Sequence, residues 1–340
     1  MFGLVKRLLT FGLALVTPAL TAEASEAPRD CGLRQYAALQ VTYYNGSPAI
    51  PLLIDEHPVR MILDTGSAMS TIGQWAIQQL GLKVARLPSV EMSAGSDRID
   101  SYATIPDLAF GNGRIKDAHI VIVPTHLSST TVEWSVDRVP VGRLGMDLLS
   151  GSDVEFDLAH DKVNLFSTDH CPGSVVYWAN QYAVVPMRRG PLKDLYFSME
   201  LDGKKVQTKL ATGDHYTVLS SYVTKGLYGW DENAPELGTL QTEDGKSQHY
   251  RVMALTSGAL QVLNTQVRLY RDPSGCMVAA RVARDADGAV GFEGCENVYP
   301  LRLGMNVLKK LRLYLATKEQ KLYFTLADAQ KSSDQARIEK

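Results

Sequence analysis

The residues best suited to chemistry form a short run, Asp64-Thr65-Gly66-Ser67, at the end of an apolar segment. Such a segment is typical of a strand that brings the aspartate to a floor of low dielectric, where its carboxylate can polarise a water molecule. Gly66 permits a tight turn in which a side chain would clash. Asp64 is therefore a candidate for acid–base chemistry, in a turn that also contains Thr65, Gly66 and Ser67.

A second turn of the same kind follows 147 residues later, as Ala211-Thr212-Gly213-Asp214. Thr212 and Gly213 keep the supporting positions. Ala211 stands where the aspartate would be, and its methyl group can neither accept nor donate a proton. Asp214 corresponds to Ser67, and we expect the turn to direct its side chain elsewhere. The second turn is therefore degenerate at its catalytic position.

The sequence on both sides of each turn is also repeated. A hairpin pattern of two short apolar strands joined by a polar turn precedes each one, at residues 54–63 and 201–210. Leu-Gly-Met then occurs at residues 144–146 and again at 303–305. The chain is therefore written twice, which indicates two copies of one structural unit.

Short elements are predicted between these anchors. A helical segment follows each turn, at residues 74–80 and 221–225, and each is expected to end at a glycine, Gly81 or Gly226. The rest alternates apolar and polar residues in short runs separated by turn signals. That pattern indicates many short strands, closed into barrels or sandwiches.

The combination of Leu63-Asp64-Thr65-Gly66-Ser67, the trailing Ser70-Thr71-Ile72 and the later Leu144-Gly145-Met146-Asp147 resembles the retropepsin-like (retroviral-type) aspartic proteases. The resemblance covers the whole mature chain, as a tandem two-repeat form with a degenerate second motif. It implies an all-β fold of two tandem acid-protease β-barrel repeats with short helices, in a pseudo-twofold bilobal architecture. The expected domains are a signal peptide (1–24), a first repeat (25–172), a second repeat (173–326) and a polar tail (327–340).

The resemblance also implies roles for particular residues. In that family, two carboxylates face each other across the pseudo-twofold axis. They share a proton, because like charges so close cannot both ionise. Thr65 and Thr212 would hold the two turns together by hydrogen bonds across the axis. Hairpin flaps would cover a peptide or protein substrate, and the candidate tips are Ala94, Gly95, Asp244 and Gly245. No metal and no organic cofactor is expected.

Ala211 leaves three explanations open. Two chains could associate through their first repeats as a homodimer, so that each supplies Asp64. The chain could instead be catalytically silent and bind extended peptides without cleaving them. Ala211 could also be an engineered change that silences a two-aspartate enzyme. The intact first motif favours an aspartic-type peptidase (a hydrolase) that activates water through Asp64, with the silent binding module as the alternative.

Charge and cysteine content limit the other functions. The formal net charge is −2 and basic residues are not clustered, so a nucleic-acid partner has no electrostatic footprint. Four cysteines are present, and in an oxidising compartment an even count favours two disulfides. Four cysteines allow three pairings, and proximity favours Cys31 with Cys171 and Cys276 with Cys295. No spacing typical of a zinc site is present.

The N-terminus predicts export. Lys6 and Arg7 precede an apolar run over residues 8–20, and small residues including Ala22 and Ala24 follow. This is the order of a cleavable secretory signal peptide, and the run is too short to span a bilayer. We therefore expect an exported protein, periplasmic or secreted, with no integral membrane segment after signal cleavage.

Overall fold

The computed structural model describes residues 32–87, 92–94, 97–124, 135–190, 194–231, 233–242, 245–258, 260–272, 275–295 and 298–329, with the backbone alone for 92–94, 97–98 and 275–276. All of the described residues belong to one compact unit. The predicted signal peptide lies outside the described residues. So does most of the predicted tail.

The first half contains short strands and two short helices. In chain order these are β1 (Gln35–Gln40), β2 (Thr42–Tyr44), β3 (Ser47–Ile54), β4 (His57–Leu63), β5 (Thr71–Gly73), α1 (Gln74–Leu80), β6 (Lys83–Arg86), β7 (Met92–Ala94), β8 (Asp97–Ile99), β9 (Ser101–Phe110), β10 (Gly113–Val123), β11 (Gly142–Leu144), α2 (Met146–Leu149), β12 (Asp153–Asp157) and β13 (Lys162–Phe166).

The second half has a similar order of strands and short helices, with different strands between its helix and its last elements. Its elements are β14 (Ala183–Arg189), β15 (Leu195–Leu201), β16 (Lys204–Leu210), β17 (Thr217–Ser220), α3 (Ser221–Tyr228), β18 (Gly238–Gln241), β19 (Ser247–Ser257), β20 (Leu260–Tyr270), a 3-10 turn (Gly275–Val278), β21 (Arg281–Arg284), β22 (Val290–Glu293), β23 (Leu301–Leu303), α4 (Met305–Leu308), β24 (Leu311–Ala316) and β25 (Lys321–Leu326).

Each half folds into its own barrel with the same pairings. In the first half, β4 runs parallel to β11, β5 runs parallel to β10, and β3 closes the sheet by pairing with both β4 and β9. In the second half, β16 runs parallel to β23, β17 runs parallel to β20, and β15 pairs with both β16 and β19. The all-β, bilobal fold predicted from the sequence is therefore confirmed.

A third group of strands joins the two barrels in one shared sheet. Its order is β1-β13-β12-β24-β25-β14, so three strands of the first half meet three strands of the second half at the junction between β12 and β24. At that junction Val154 lies opposite Leu315, and Phe156 lies opposite Leu313. All four of these side chains are buried. Backbone hydrogen bonds and apolar burial therefore fix the halves to each other from below.

Buried charges also cross this junction. The Glu155 carboxylate has no exposed surface and lies 2.6 Å from Nε of Arg312. Tyr177 donates a hydrogen bond to the same carboxylate at 2.6 Å, and the Asn164 side-chain amide donates another at 2.9 Å. Because every charge has a partner, the network stabilises one relative placement of the two halves.

The helix predictions were right in the first repeat and short in the second. Helix α1 spans the predicted residues and ends at Gly81, which adopts a left-handed conformation with φ of 63°. Helix α3 continues through Gly226 and ends at Gly229, with φ of 78°. The reason is packing, since Leu227 is buried and the Tyr228 hydroxyl donates to the Leu201 carbonyl at 2.7 Å. These contacts outweigh the modest cost of glycine inside a helix.

No helix within the described ranges is long and apolar enough to cross a membrane.

Candidate functional site

The two candidate turns have the same backbone hydrogen bonds. In the first, the amide of Asp64 donates to the Leu144 carbonyl at 3.0 Å, and the amide of Ser67 donates to the Asp64 carbonyl at 3.1 Å. In the second, Ala211 donates to the Leu303 carbonyl at 3.0 Å, and Asp214 donates to the Ala211 carbonyl at 3.0 Å. Position 211 is therefore the structural counterpart of position 64, and 214 is that of 67.

A side chain from helix α2 supports the first turn, and one from helix α4 supports the second. Asp147 accepts hydrogen bonds from the backbone amide and the hydroxyl of Ser70, at 2.9 and 2.6 Å. Asn306 accepts the equivalent bonds from Thr217, at 2.7 and 2.9 Å. The carboxylate or amide oxygen at this position thus anchors the strand that leaves each turn, so that the repeat is preserved even where the residue types differ.

Thr65 and Thr212 interlock the two turns. The Thr212 hydroxyl accepts the amide of Thr65 at 3.0 Å and donates to the Leu63 carbonyl at 2.7 Å. The Thr65 hydroxyl accepts the amide of Thr212 at 3.1 Å. Both side chains are buried. The two halves of one chain therefore meet across an approximate twofold axis at these residues.

The Asp64 carboxylate lies beside this interlock, and only 7% of the residue is exposed. Oδ1 accepts the amide of Gly66 at 3.1 Å, and Oδ2 accepts the hydroxyl of Ser67 at 2.8 Å. Oδ2 also lies 3.0 Å from Nη1 of Arg143. The carboxylate therefore has three donors, one of them a cation.

The Ala211 methyl group lies at the position in the second turn that corresponds to the Asp64 side chain in the first. A Cβ built on Gly66 would lie 3.3 Å from Cβ of Ala211, and one built on Gly213 would lie 2.6 Å from Cγ of Asp64. Each turn glycine thus packs against the first residue of the other turn. Gly213 tolerates no side chain here, because any Cβ would displace the Asp64 carboxylate.

Asp214 does not point away from the site as expected. Its Oδ2 lies 2.9 Å from Nε of Arg302, and its charge interacts with Asp64 and Arg143. Burial raises the pKa of the Asp214 carboxyl above its ordinary value, and the negative charge of Asp64 raises it further, against the opposing effect of Arg302. The expectation was wrong because the turn directs the side chain at this position toward the site. Ser67, the equivalent residue, shows this by donating its hydroxyl to Asp64.

An open cavity of about 530 Å³ lies over this side of the turns. Arg143, Arg302 and Arg268 line it together with Asp214 and His215. Nε of Arg268 is buried without a hydrogen-bond partner. Among the described residues no group of three or more His, Cys, Asp or Glu is placed to hold a metal ion. The cavity is therefore a polar site rich in arginine, next to two carboxyl groups.

The arginines beside the turns were not predicted from the sequence. Arg143 and Arg302 precede Leu-Gly-Met in their respective repeats, so the signal was a charged residue at the same place twice. In each half the strand that holds the arginine runs parallel to the strand that leads into the turn, with Arg143 opposite Ile62 and Arg302 opposite Lys209. That pairing puts both guanidinium groups beside the turns.

The flap candidates lie in or near two hairpins. Strands β7 and β8 pair with Ala94 opposite Asp97, while Gly95 lies outside the described residues. Strands β18 and β19 pair with Gln241 opposite Ser247, and Gly245 in their turn has φ of 77°. Asp244 lies outside the described residues. The covering role of these hairpins stays a prediction.

The cysteine predictions are only partly addressed. Neither Cys171 nor Cys295 carries a free thiol. Cys31 lies outside the described residues, and the side chain of Cys276 is among those left undescribed. The predicted pairing therefore stays a prediction.

Comparison with known proteins supports the resemblance in the first half. Residues 50–148 match the family model Asp_protease_2, described as an aspartyl protease. This range contains Asp64 and ends before the second repeat. A search of curated proteins finds no match. Among solved structures, the chain is similar to an aspartic proteinase from Irpex lacteus, with 12% identity, a TM-score of 0.48, and coverage of 86% of this chain and 97% of the other. The resemblance to retropepsin-like aspartic proteases is thus confirmed at the level of the family model.

Proposed function

We propose that this chain is an aspartic-type peptidase, which hydrolyses peptide bonds with water activated by Asp64. The observation that supports this most directly is the position of Asp64 at the interlocked turns, buried, hydrogen-bonded and next to a cavity. The aspartyl protease family match spans the same residue. A peptide or protein is therefore the proposed substrate.

The contacts of Asp64 suit the role of a base. Arg143 and Ser67 both contact Oδ2, and Arg143 places a positive charge beside it. An ionised carboxylate can accept a proton from a water molecule as that water attacks the carbonyl carbon of a peptide bond. Gly66 and Gly213 pack closely against the Asp64 carboxylate from its two sides. A side chain on Gly213 would collide with it.

The arrangement supports a site made by one chain. The surface of the first repeat that a homodimer would use is already in contact with the second repeat, through Thr65 and Thr212. A dimer built on the two first repeats would have to break these buried hydrogen bonds. We therefore propose that the two halves of a single chain form the cleft.

A silent peptide-binding module is the second candidate function. Two observations favour it: Ala211 has no group that can transfer a proton, and Arg143 forms an ion pair with the Asp64 carboxylate. In this case the cleft would bind an extended segment without turnover.

Cleavage of an unfolded protein separates the two candidates. Reduced and alkylated casein would be incubated from pH 3 to pH 8 with the wild type, with Asp64→Asn and with Asp169→Asn, and new amino termini would be counted. Asp169 is a control carboxylate whose side chain is 62% exposed, far from the turns in sequence. We expect cleavage by the wild type and by Asp169→Asn, and a loss of about 100-fold or more in Asp64→Asn. Absence of cleavage by the wild type, with retained binding of casein, would establish the silent module instead.

Export is proposed on the sequence alone. The charged, apolar and small-residue order at the N-terminus supports a periplasmic or secreted location, in which two disulfides would be stable. Mass spectrometry of the mature chain, before and after reduction, would give both the cleavage point and the cysteine pairing.

A further inference from the structure

We propose that Asp214 supplies the second catalytic carboxyl group, displaced by three residues along the turn from position 211. This inference rests on the proposed peptidase function and assigns its missing proton donor. Asp64 would act as the base, and Asp214 would act as the acid.

The first argument comes from the equivalence of the two turns. The Ser67 hydroxyl lies 2.8 Å from Oδ2 of Asp64, so a side chain at this place in the turn points at the carboxylate of its own half. Asp214 has the same backbone hydrogen bonds as Ser67 and a side chain one bond longer. Ala211 leaves the space in front of it without a carboxylate. The Asp214 side chain therefore extends toward the volume that an aspartate at position 211 would fill.

The arginines give an independent argument. Arg143 and Arg302 occupy equivalent positions before Leu-Gly-Met, each on a strand parallel to the strand that enters its turn. Arg143 lies 3.0 Å from Oδ2 of Asp64, and Arg302 lies 2.9 Å from Oδ2 of Asp214. Equivalent cations thus contact one carboxylate in each half. The Asp214 carboxylate therefore has, in its half, the same kind of cationic partner that the Asp64 carboxylate has in the other.

Electrostatics make the two carboxyl groups unequal. Burial is the main cause that raises the pKa of Asp214, and the charge of Asp64 adds to it, while Arg302 and Arg143 act in the opposite direction. Arg268 and His215 line the same cavity. A carboxyl group with a raised pKa keeps its proton to a higher pH, as a general acid must.

The proposed step balances without a cofactor. The oxygen of a water molecule bonds to the carbonyl carbon while Asp64 takes one of its protons, and the carbonyl oxygen takes the proton of Asp214 as its π bond opens. The carbon–nitrogen bond then breaks, the leaving nitrogen receives the proton held by Asp64, and a hydroxyl of the diol returns a proton to Asp214. The products are an acid and an amine, and both aspartates regain their starting forms.

Three variants test the assignment with the casein assay, each checked for folding by thermal unfolding. Asp214→Asn removes the acid with little change in shape. Asp214→Ser places in the second turn the residue that the first turn already accommodates at Ser67, so it should fold. Ala211→Asp/Asp214→Ser moves the carboxyl group back to the first position of the turn and recreates Asp-Thr-Gly-Ser.

We expect kcat/KM to fall about 100-fold or more in both single variants and to recover at least about tenfold in the double variant. The alkaline limit of the pH profile should move in the double variant, because a different carboxyl group then donates the proton. Wild-type cleavage with undiminished activity in Asp214→Ser would overturn this inference and leave the proposed function standing. Failure of the double variant to recover would also overturn it, since Asp214 would then have a structural role only. An inactive wild type would overturn the proposed function itself.

Discussion

The interlock between the turns predicts an unequal response to loss of its two hydroxyl groups. Thr212→Val keeps the shape of the side chain but removes the group that accepts from Thr65 and donates to Leu63, at 3.0 and 2.7 Å. Thr65→Val removes the acceptor of a single backbone amide, that of Thr212, at 3.1 Å. The two hydroxyl oxygens are 3.4 Å apart, which is long for a bond between them.

The magnitude follows from the groups left without partners. A buried backbone group that loses its only partner costs roughly 1–3 kcal/mol. Thr212→Val leaves two such groups and should lower the free energy of unfolding by roughly 2–6 kcal/mol, whereas Thr65→Val leaves one and should cost roughly 1–3 kcal/mol. Thr42→Val is the control, because Thr42 is exposed and its hydroxyl bond to Ala49 is 3.4 Å long. Its effect should stay within about 0.5 kcal/mol.

Urea unfolding followed by tryptophan fluorescence measures these differences, from the shift of the midpoint at a common slope. The ranking is the critical result. If Thr65→Val destabilised the protein as much as Thr212→Val, or if Thr212→Val matched the control, the two hydroxyl groups would not join the halves in the way described.

Two further predictions concern the site floor and the shared sheet. Gly213→Ala should reduce casein cleavage by about 100-fold, because the added Cβ would lie 2.6 Å from Cγ of Asp64 and displace it; Gly151→Ala, with no atom within 4 Å, is the matched control and should cleave normally. His170 is buried beside Asp153, Glu319 and Tyr314. Burial lowers its pKa, but the hydrogen bonds to Asp153 and Cys171 and the two carboxylate charges raise it. The net effect is a rise in the pKa of His170. Its stabilisation should be fully present below the unfolded pKa of roughly 6.5 and be lost as the pH rises through the folded value. Urea unfolding of the wild type and His170→Asn should therefore differ more at pH 5.5 than at pH 9, and a gap that was constant or grew with pH would contradict this; His119→Asn, at an exposed position, is the control.

Local sequence patterns were sufficient for the elements that build the site. The hairpins before the turns, with Asp55-Glu56 and Asp202-Gly203 at their bends, have the positive φ values that such two-residue turns require. Helix α1 was predicted to the residue, because Gly81 ends it. The repeated motif predicted two copies of one structural unit, and the resemblance to aspartic proteases implied their bilobal arrangement.

The features that escaped prediction depend on distant contacts. The pairing of β12 with β24 joins residues far apart in sequence, and alternation of apolar residues does not specify a partner strand. The contact between Arg143 and Asp64 arises only when β11 lies parallel to β4. The placement of Asp214 near Asp64 likewise follows from the docking of two turns, which no single turn contains.

Because both repeats lie in one chain, the two turns need not have the same sequence. In a symmetric pair of identical chains, every substitution occurs on both sides of the axis, so a residue that suits one role is forced on both. Here the shared sheet and the threonine interlock hold the halves in place while positions 64 and 211, and positions 67 and 214, carry different residues. A single chain with two repeats thereby permits a different residue, and a different protonation state, on each side of the axis.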